Sequence, residues 1–336
     1  MLSPVAGFPH IDRVTLPIPT PLQHVHCYLV EGKHGFAIID TGFYTHEIER
    51  VWANALAQKG IRFADIEQIV LTHAHPDHYG AAGWLQEQTG APIYLLEQER
   101  DLIDRHAMRK DSWSDALIAY FRPFGLPFTY EEEVRAHEAF MLQLISPAPT
   151  QITWLREGDT FELMDVPFEV IWVPGHSPGQ MMLYHEPQKV AFVGDHVLMG
   201  ITPIVGVWSE DDLYALDNYL HALRKVAMLD LRVGLSGHRE PIEAWQKRIG
   251  DILGHHEWRL KRILDVVQEP LTAWEIMLRV FRVRQPEQLL FALAESIAHL
   301  EYLVQQGALQ KKVQDGTYLF VKGVSIHELS TAMISF

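Results

Sequence analysis

The stretch Ile66-Glu67-Gln68-Ile69-Val70-Leu71-Thr72-His73-Ala74-His75-Pro76-Asp77-His78 decides the fold. Its first six residues read as a short strand, and three histidines and an aspartate follow at once. Imidazole and carboxylate are the ligands that zinc, iron and manganese accept, and a loop after a strand can point several of them inward together. His73 and His75 alternate as on extended chain and could face one ion. Asp77 and His78 could turn toward a second. The competing reading is a solvated, histidine-rich loop. It loses force because candidate ligands recur at other strand ends.

Three such positions lie downstream. His176 stands in Val173-Pro174-Gly175-His176-Ser177-Pro178-Gly179, Asp195 in Val193-Gly194-Asp195-His196, and His238 in Leu235-Ser236-Gly237-His238. Each follows an apolar run and sits beside glycine, which lets backbone approach a crowded site. Alone, any of them reads as a buried histidine or a capping aspartate; together with the cluster they complete a seven-ligand set. Asp40, in Ile38-Ile39-Asp40-Thr41-Gly42, suits a partner that fixes an imidazole's orientation, or else the N-cap of the next helix. His196 and Tyr184 are weaker candidates for an oxyanion or substrate contact. Gly175-His176-Ser177-Pro178-Gly179 also matches the Gly-x-Ser-x-Gly elbow of serine hydrolases. That elbow needs the backbone N–H of the residue after serine, and Pro178 has none, so Ser177 is a poor nucleophile. No dinucleotide or P-loop glycine motif is present.

Working outward, 25–30, 36–39, 66–71 and 92–96 read as strands, with helices over 45–59 and 81–88. Residues 102–144 are mostly helical, broken at Pro123, Gly125 and Pro127, and rich in aromatics. They read as an insertion: a lid or pocket wall, a dimer interface, or plain core. Strands resume at 161–163, 168–173, 181–184 and 190–193, followed by a helix over 213–228 and a strand at 233–235. Strands on both sides of the midpoint imply an α/β domain. After His238 the texture turns helical. Thr272-Ala273-Trp274-Glu275 is a capping box, Pro286 opens a long helix ending before Gly307, and Asp315-Gly316 turns a hairpin. Three helices and a hairpin follow the order of a winged helix.

The chain has 336 residues with 28 Lys+Arg, 43 Asp+Glu and a net charge of −15. Residues 241–336 hold 11 basic and 11 acidic side chains, so all the excess lies in residues 1–240. That field repels a polyanion unless bound metal compensates it. The helix expected over 286–306 has no Lys or Arg and carries Glu287, Glu295 and Glu301, which disfavours nucleic-acid contact. One cysteine, Cys27, excludes an intramolecular disulfide and a cysteine-rich zinc module. The first 21 residues hold five prolines and no continuous apolar stretch, and no run reaches membrane-span length. A soluble cytoplasmic protein is expected. Histidine is the unusual count, at 19.

His73-x-His75-x-Asp77-His78, then His176, Asp195 and His238 in that order, resembles the metallo-β-lactamase superfamily over residues 20–321. The tail resembles its subgroup with a C-terminal winged helix, some of whose members are endoribonucleases. The resemblance implies an αββα sandwich followed by a small, mainly helical winged-helix-like domain, with bounds 1–245 and 246–336. It implies that His73, His75 and His176 hold metal 1, that Asp77, His78 and His238 hold metal 2, and that Asp195 bridges them. The cofactors expected are two divalent ions, zinc first and iron or manganese as alternatives. The implied chemistry is a metal-bridging hydroxide attacking an ester, thioester or lactone-type carbonyl of a small molecule, with Asp77 shuttling the proton. Rival readings are an endoribonuclease or phosphodiesterase, and an iron-dependent sulfur dioxygenase. A small-molecule substrate, no nucleic acid, no membrane and a homodimer complete the expectations.

Overall fold

The structure is a computed structural model that describes residues 1–107, 112–283 and 287–323. Strands β1 (Leu2–Val5), β2 (Phe8–Pro17), β3 (His24–Glu31), β4 (Phe36–Ile39), β5 (Ile66–Val70), β6 (Ile93–Leu96) and β7 (Ile152–Leu155) form a seven-stranded sheet in that order. Pairing is antiparallel from β1 to β4 and parallel from β4 to β7. A second sheet has the order β12-β11-β10-β9-β8, with β8 (Thr160–Leu163), β9 (Val166–Trp172), β10 (Met181–His185), β11 (Val190–Gly194) and β12 (Val233–Ser236). Only its β11–β12 pair is parallel.

Side-chain alternation explains why the two sheets face each other. In β3, Val25, Cys27 and Leu29 point to one side, while Tyr28 and Val30 point to the other. The second set joins Val70 and Leu96 in a core shared with Phe168, Val170, Leu183 and Phe192 of the second sheet. Truncating a buried aromatic there, Phe192→Ala for example, costs about 3–5 kcal/mol. The first set is covered by α1 (His46–Lys59) and α3 (Ala82–Thr89), which contribute Ile48, Trp52, Leu56 and Leu85. Thr45 caps α1 by accepting the Ile48 N–H at 3.2 Å, and Gly60, with φ 69°, ends it. A four-residue helix, α2 (Pro76–Tyr79), begins inside the histidine loop, and α4 (Arg100–Ala107) follows β6.

Sequence periodicity places the first strand at 25–30, and the structure adds two before it. Pro4 lies in the edge strand β1 and Pro17 at the end of β2, where a missing N–H does no harm. The Val14–Leu16 alternation between them carries the strand signal. β7 was also unforeseen, being four residues long.

The chain divides into two compact units. The sandwich lies in the first, made of 1–109, 140–203 and 222–249; the second combines 110–139, 204–221 and 250–336. The remaining helices are α5 (Ser112–Phe121), α6 (Glu131–Gln143), α7 (Ala215–Ala227), α8 (Trp245–Val266), α9 (Ala273–Val280) and α10 (Glu287–Gln305). A hairpin of β13 (Leu309–Gln314) and β14 (Thr317–Lys322) turns at Asp315 and Gly316, both at positive φ. Within the second unit, Phe121 and Phe124 of the helical insertion are buried while Phe128 is exposed; Phe124 packs on Tyr318 at 4.9 Å and Tyr130 on Trp274 at 5.0 Å between ring centroids. The Thr272–Glu275 capping box forms as expected. Pro286, expected to open α10, lies outside the described residues. Among the described residues, no helix is long and apolar enough to cross a membrane.

Candidate metal centre

The strand ends gather the seven residues. His73, His75, Asp77 and His78 follow β5, His176 follows β9, Asp195 follows β11 and His238 follows β12. Parallel strands bring their C-terminal ends, and the loops after them, to one side of a sheet. Two glycines make room. A Cβ on Gly237 would strike the His78 ring and lie 2.5 Å from Asp195 Oδ1. Gly194 takes φ 49° where the β11–β12 register shifts, and this irregularity aims Asp195 at the site.

Three overlapping clusters result: His73, His75 and His176; His73, His78 and Asp195; and Asp77, His78 and His238. Within each, one ligand atom per residue lies within 4.8 Å of the others. In the first, His75 Nδ1 is 3.1 Å from His73 Nε2 and 3.0 Å from His176 Nε2. In the third, His238 Nε2 is 3.2 Å from Asp77 Oδ2, and it is also 3.2 Å from Asp195 Oδ2. His78 Nε2 lies 3.4 Å from Asp195 Oδ1.

Hydrogen bonds on the outer side set which ring nitrogens face inward. The Thr72 hydroxyl donates its one proton to Asp40, 2.9 Å away at Oδ2, and so accepts from His73 Nδ1 at 3.0 Å. His78 Nδ1 donates to Asp40 Oδ2 at 2.8 Å, and His238 Nδ1 donates to the His24 carbonyl at 2.8 Å. The inward Nε2 atom of His73, and those of His78 and His238 whenever these rings are neutral, therefore carry lone pairs. Asp40 is thus the orienting partner, while Thr45 caps the helix. Asp40 holds this place at φ 58°, a left-handed conformation that aspartate tolerates better than most residues.

These lone pairs suit a metal. Among the described residues, His78 Nε2, His238 Nε2 and Asp195 Oδ1 are buried without a hydrogen-bond donor. Burial, with the neighbouring rings adding, holds His73 well below the ordinary histidine range and pushes His75 down to about 3, so both are neutral. A proton on His75 Nδ1 could serve one of its two neighbours; a cation at the centre serves all three. At the other cluster burial opposes a charged ring, but Asp195, Asp40 and Asp77 outweigh it at His78 and hold it well above its ordinary value. Burial likewise opposes charge on His238, yet Asp195 and Asp77 push it up to about 10. Burial would raise Asp77, but His78 and His238 bring it to about 2. Lone pairs that face carboxylates this closely demand positive charge, and a divalent cation supplies it without any proton. The donor set of five imidazoles and two carboxylates suits zinc, iron or manganese.

Other candidates resolve differently. The Tyr184 hydroxyl donates to the Asp230 carbonyl at 3.2 Å, and Tyr184 is not among the clustered residues. His196 is fully buried beside Asp195, and burial, helped by His176, pushes it down to about 3, leaving a neutral ring. The Ser177 hydroxyl is engaged with Glu99, consistent with its rejection as a nucleophile. Sequence reasoning missed Glu99, which is buried between two ligand loops, because Glu97-Gln98-Glu99 reads like any solvated acidic run. It also missed the His24 carbonyl, since a backbone acceptor has no residue signature.

Facing sheets with a histidine and aspartate cluster at their strand ends define the metallo-β-lactamase type of metal-binding protein. Residues 20–238 match the model of the metallo-beta-lactamase superfamily, and 260–323 match the metallo-beta-lactamase-like C-terminal domain. The chain belongs to the metallo-β-lactamase superfamily. A crystal structure of a metallo-beta-lactamase family protein from Thermus thermophilus is 32% identical, with a TM-score of 0.81, covering 94% of this chain and 99% of that one. A probable metallo-hydrolase from Bacillus subtilis is 27% identical over 92% of this chain and 97% of its own length. Two further relatives have more specific names. A hydroxyacylglutathione hydrolase from Haemophilus influenzae is 28% identical over 54% of this chain and 71% of its own. An atrochrysone carboxyl ACP thioesterase from Aspergillus fumigatus is 24% identical over 74% and 61%, respectively.

Proposed function

We propose that this protein is a binuclear metal-dependent hydrolase of an ester, thioester or lactone-type carbonyl in a small molecule. The observation that carries the reading is the juxtaposition of a three-imidazole pocket with a carboxylate–imidazole pocket, Asp195 lying against both. His73, His75 and His176 would hold one ion, Asp77, His78 and His238 the other, and Asp195 would touch each. Zinc is the first choice, with iron and manganese as alternatives. Bound divalent ions supply hydroxide near neutral pH and polarise a carbonyl.

The chain's own residues do the rest. Asp40, Thr72 and the His24 carbonyl keep the inner ring nitrogens bare. Asp77 is the more open carboxylate, with its side chain 19% exposed against 7% for Asp195. Its Oδ2 is where we place the proton passed to the leaving atom. The hydrolase and thioesterase names of two relatives support a thioester or ester bond. The same proposal includes domain bounds at 1–245 and 246–336, a winged-helix role for the tail, a cytoplasmic address and a small-molecule partner.

Against a nuclease, Glu295 and Glu301 of α10 are buried in ion pairs with Arg259 and Lys311, so this helix offers no cationic face to phosphate. The test is turnover by metal-quantified protein of thioesters, lactones, β-lactams, phosphodiesters and short RNA, and oxygen uptake with a persulfide. Cleavage of a thioester or ester, lost with chelator and restored by zinc, is expected. Cleavage of RNA alone, or persulfide oxidation alone, would overturn the reading.

A further inference from the structure

The loop holding His73 and His75 and the loop holding His176 come from different sheets, 101 residues apart between His75 and His176. Glu99, fully buried, stands between them. Its Oε2 accepts the N–H of Ala74, the residue between the two histidines, at 3.2 Å. Its Oε1 accepts the Gly179 N–H at 2.7 Å and the Ser177 hydroxyl, next in sequence to His176. Three donors from two loops thus converge on one carboxylate, an acceptor-only group when ionised. Gly179 lies close enough that a Cβ there would come within 2.5 Å of the Glu99 backbone nitrogen and 2.7 Å of the Gln98 carbonyl carbon.

We propose that Glu99 is the positioning residue for the three-histidine pocket: its carboxylate clamps the His73–His75 loop to the His176 loop at the spacing one divalent ion requires. The inference rests on the binuclear reading above, but it concerns metal affinity and needs no substrate. His75 Nδ1 lies 3.1 Å from His73 Nε2 and 3.0 Å from His176 Nε2, and one proton can bridge only one of these contacts, so the other is left unsatisfied and the pocket must be held together from outside until an ion enters. Glu99 does this with directional bonds from both loops to one carboxylate. The second cluster is oriented by Asp40 and His24 instead, so the clamp acts on one ion of two.

The test uses the full chain loaded with zinc, with ions per chain counted after dialysis against graded chelator. Glu99→Gln keeps the size but replaces one acceptor oxygen by a donor that must face a backbone N–H. It is expected to release one ion at about 10–100-fold lower chelator, the range for outer-shell partners of metal ligands. The other ion stays at the wild-type position, and the metal-free melting temperature falls only by the several degrees that one mismatched buried donor costs. Ser177→Ala removes a single donor and shifts the same ion less. His176→Ala identifies that ion, because adding Glu99→Gln to it weakens nothing further. A wild-type release profile in both variants overturns the proposal, as does an equal shift of both ions, which marks general loosening. Should Glu99→Gln not fold, Ser177→Ala decides: a one-ion shift supports the clamp and no shift refutes it. A wild-type chain that holds one ion fails the binuclear reading, and the clamp is then judged by whether Glu99→Gln weakens that ion.

Discussion

Replacing Asp40 by asparagine tests how this fold fixes its ligands. Asp40 Oδ1 accepts the Thr72 N–H at 2.7 Å, and Oδ2 accepts the Thr72 hydroxyl at 2.9 Å and His78 Nδ1 at 2.8 Å. Asparagine keeps the shape and tolerates the left-handed φ of 58°. It can offer only one acceptor oxygen. If the amide oxygen takes the Thr72 N–H, the NH₂ faces His78 Nδ1, and the ring must move its proton to Nε2, which points at the metal position. If the amide is reversed, a backbone donor meets an NH₂. One mismatched buried donor costs about 1–3 kcal/mol. Losing the correct tautomer costs about 10–100-fold in metal affinity. Asp40→Ala is worse: it orphans the Thr72 N–H and the His78 Nδ1–H and puts a Cβ-bearing residue without a local hydrogen bond in the left-handed region, about 3–8 kcal/mol together. That is a large share of the roughly 5–15 kcal/mol of a typical domain. Urea unfolding of metal-free protein measures the first quantity, and chelator competition the second. Asp40→Asn with wild-type zinc affinity and a wild-type urea midpoint would refute the tautomer argument.

Two other outcomes are expected. His75→Ala and Asp195→Ala each abolish turnover and lower the metal bound per chain, while circular dichroism remains that of a folded protein; either variant with full activity and two ions would sink the ligand assignment. In the second unit, burial pushes Glu295 up to about 7 from an ordinary 4.5, with Arg259 pulling against it. The folded chain therefore holds this proton more tightly than the unfolded one. The stability it contributes is complete below pH 4.5 and is lost as pH rises through 7, by up to about 3 kcal/mol. Urea midpoints at pH 5 and pH 8 should fall further in wild type than in Glu295→Gln, and equal falls would contradict the assignment.

How much the sequence revealed depended on the range of the forces involved. The ends of α1 were readable because Thr45 and Gly60 act on their own neighbours. The hairpin was readable because Asp315-Gly316 meets a local backbone requirement. The candidate metal cluster was readable because metals select imidazole and carboxylate, so His73, His75, Asp77 and His78 stand out by composition. β1 escaped because an edge strand with a proline depends on a neighbour to define it. Glu99 escaped because a charged residue is burial-neutral in sequence until its three donors arrive from elsewhere.

The sequence by itself thus determined the class of chemistry, the alternation of strands and helices, and the residues able to hold metal, because those follow from residue type and short-range periodicity. Only the tertiary structure decided which nitrogen of each histidine faces inward, that Asp40 orients His78, and that Ser177 serves Glu99. It also placed Phe124 against Tyr318 of the hairpin and Tyr130 against Trp274 of α9 within the second unit. Each of these is a contact between residues far apart in the chain, set by hydrogen-bond geometry and burial that no local pattern encodes.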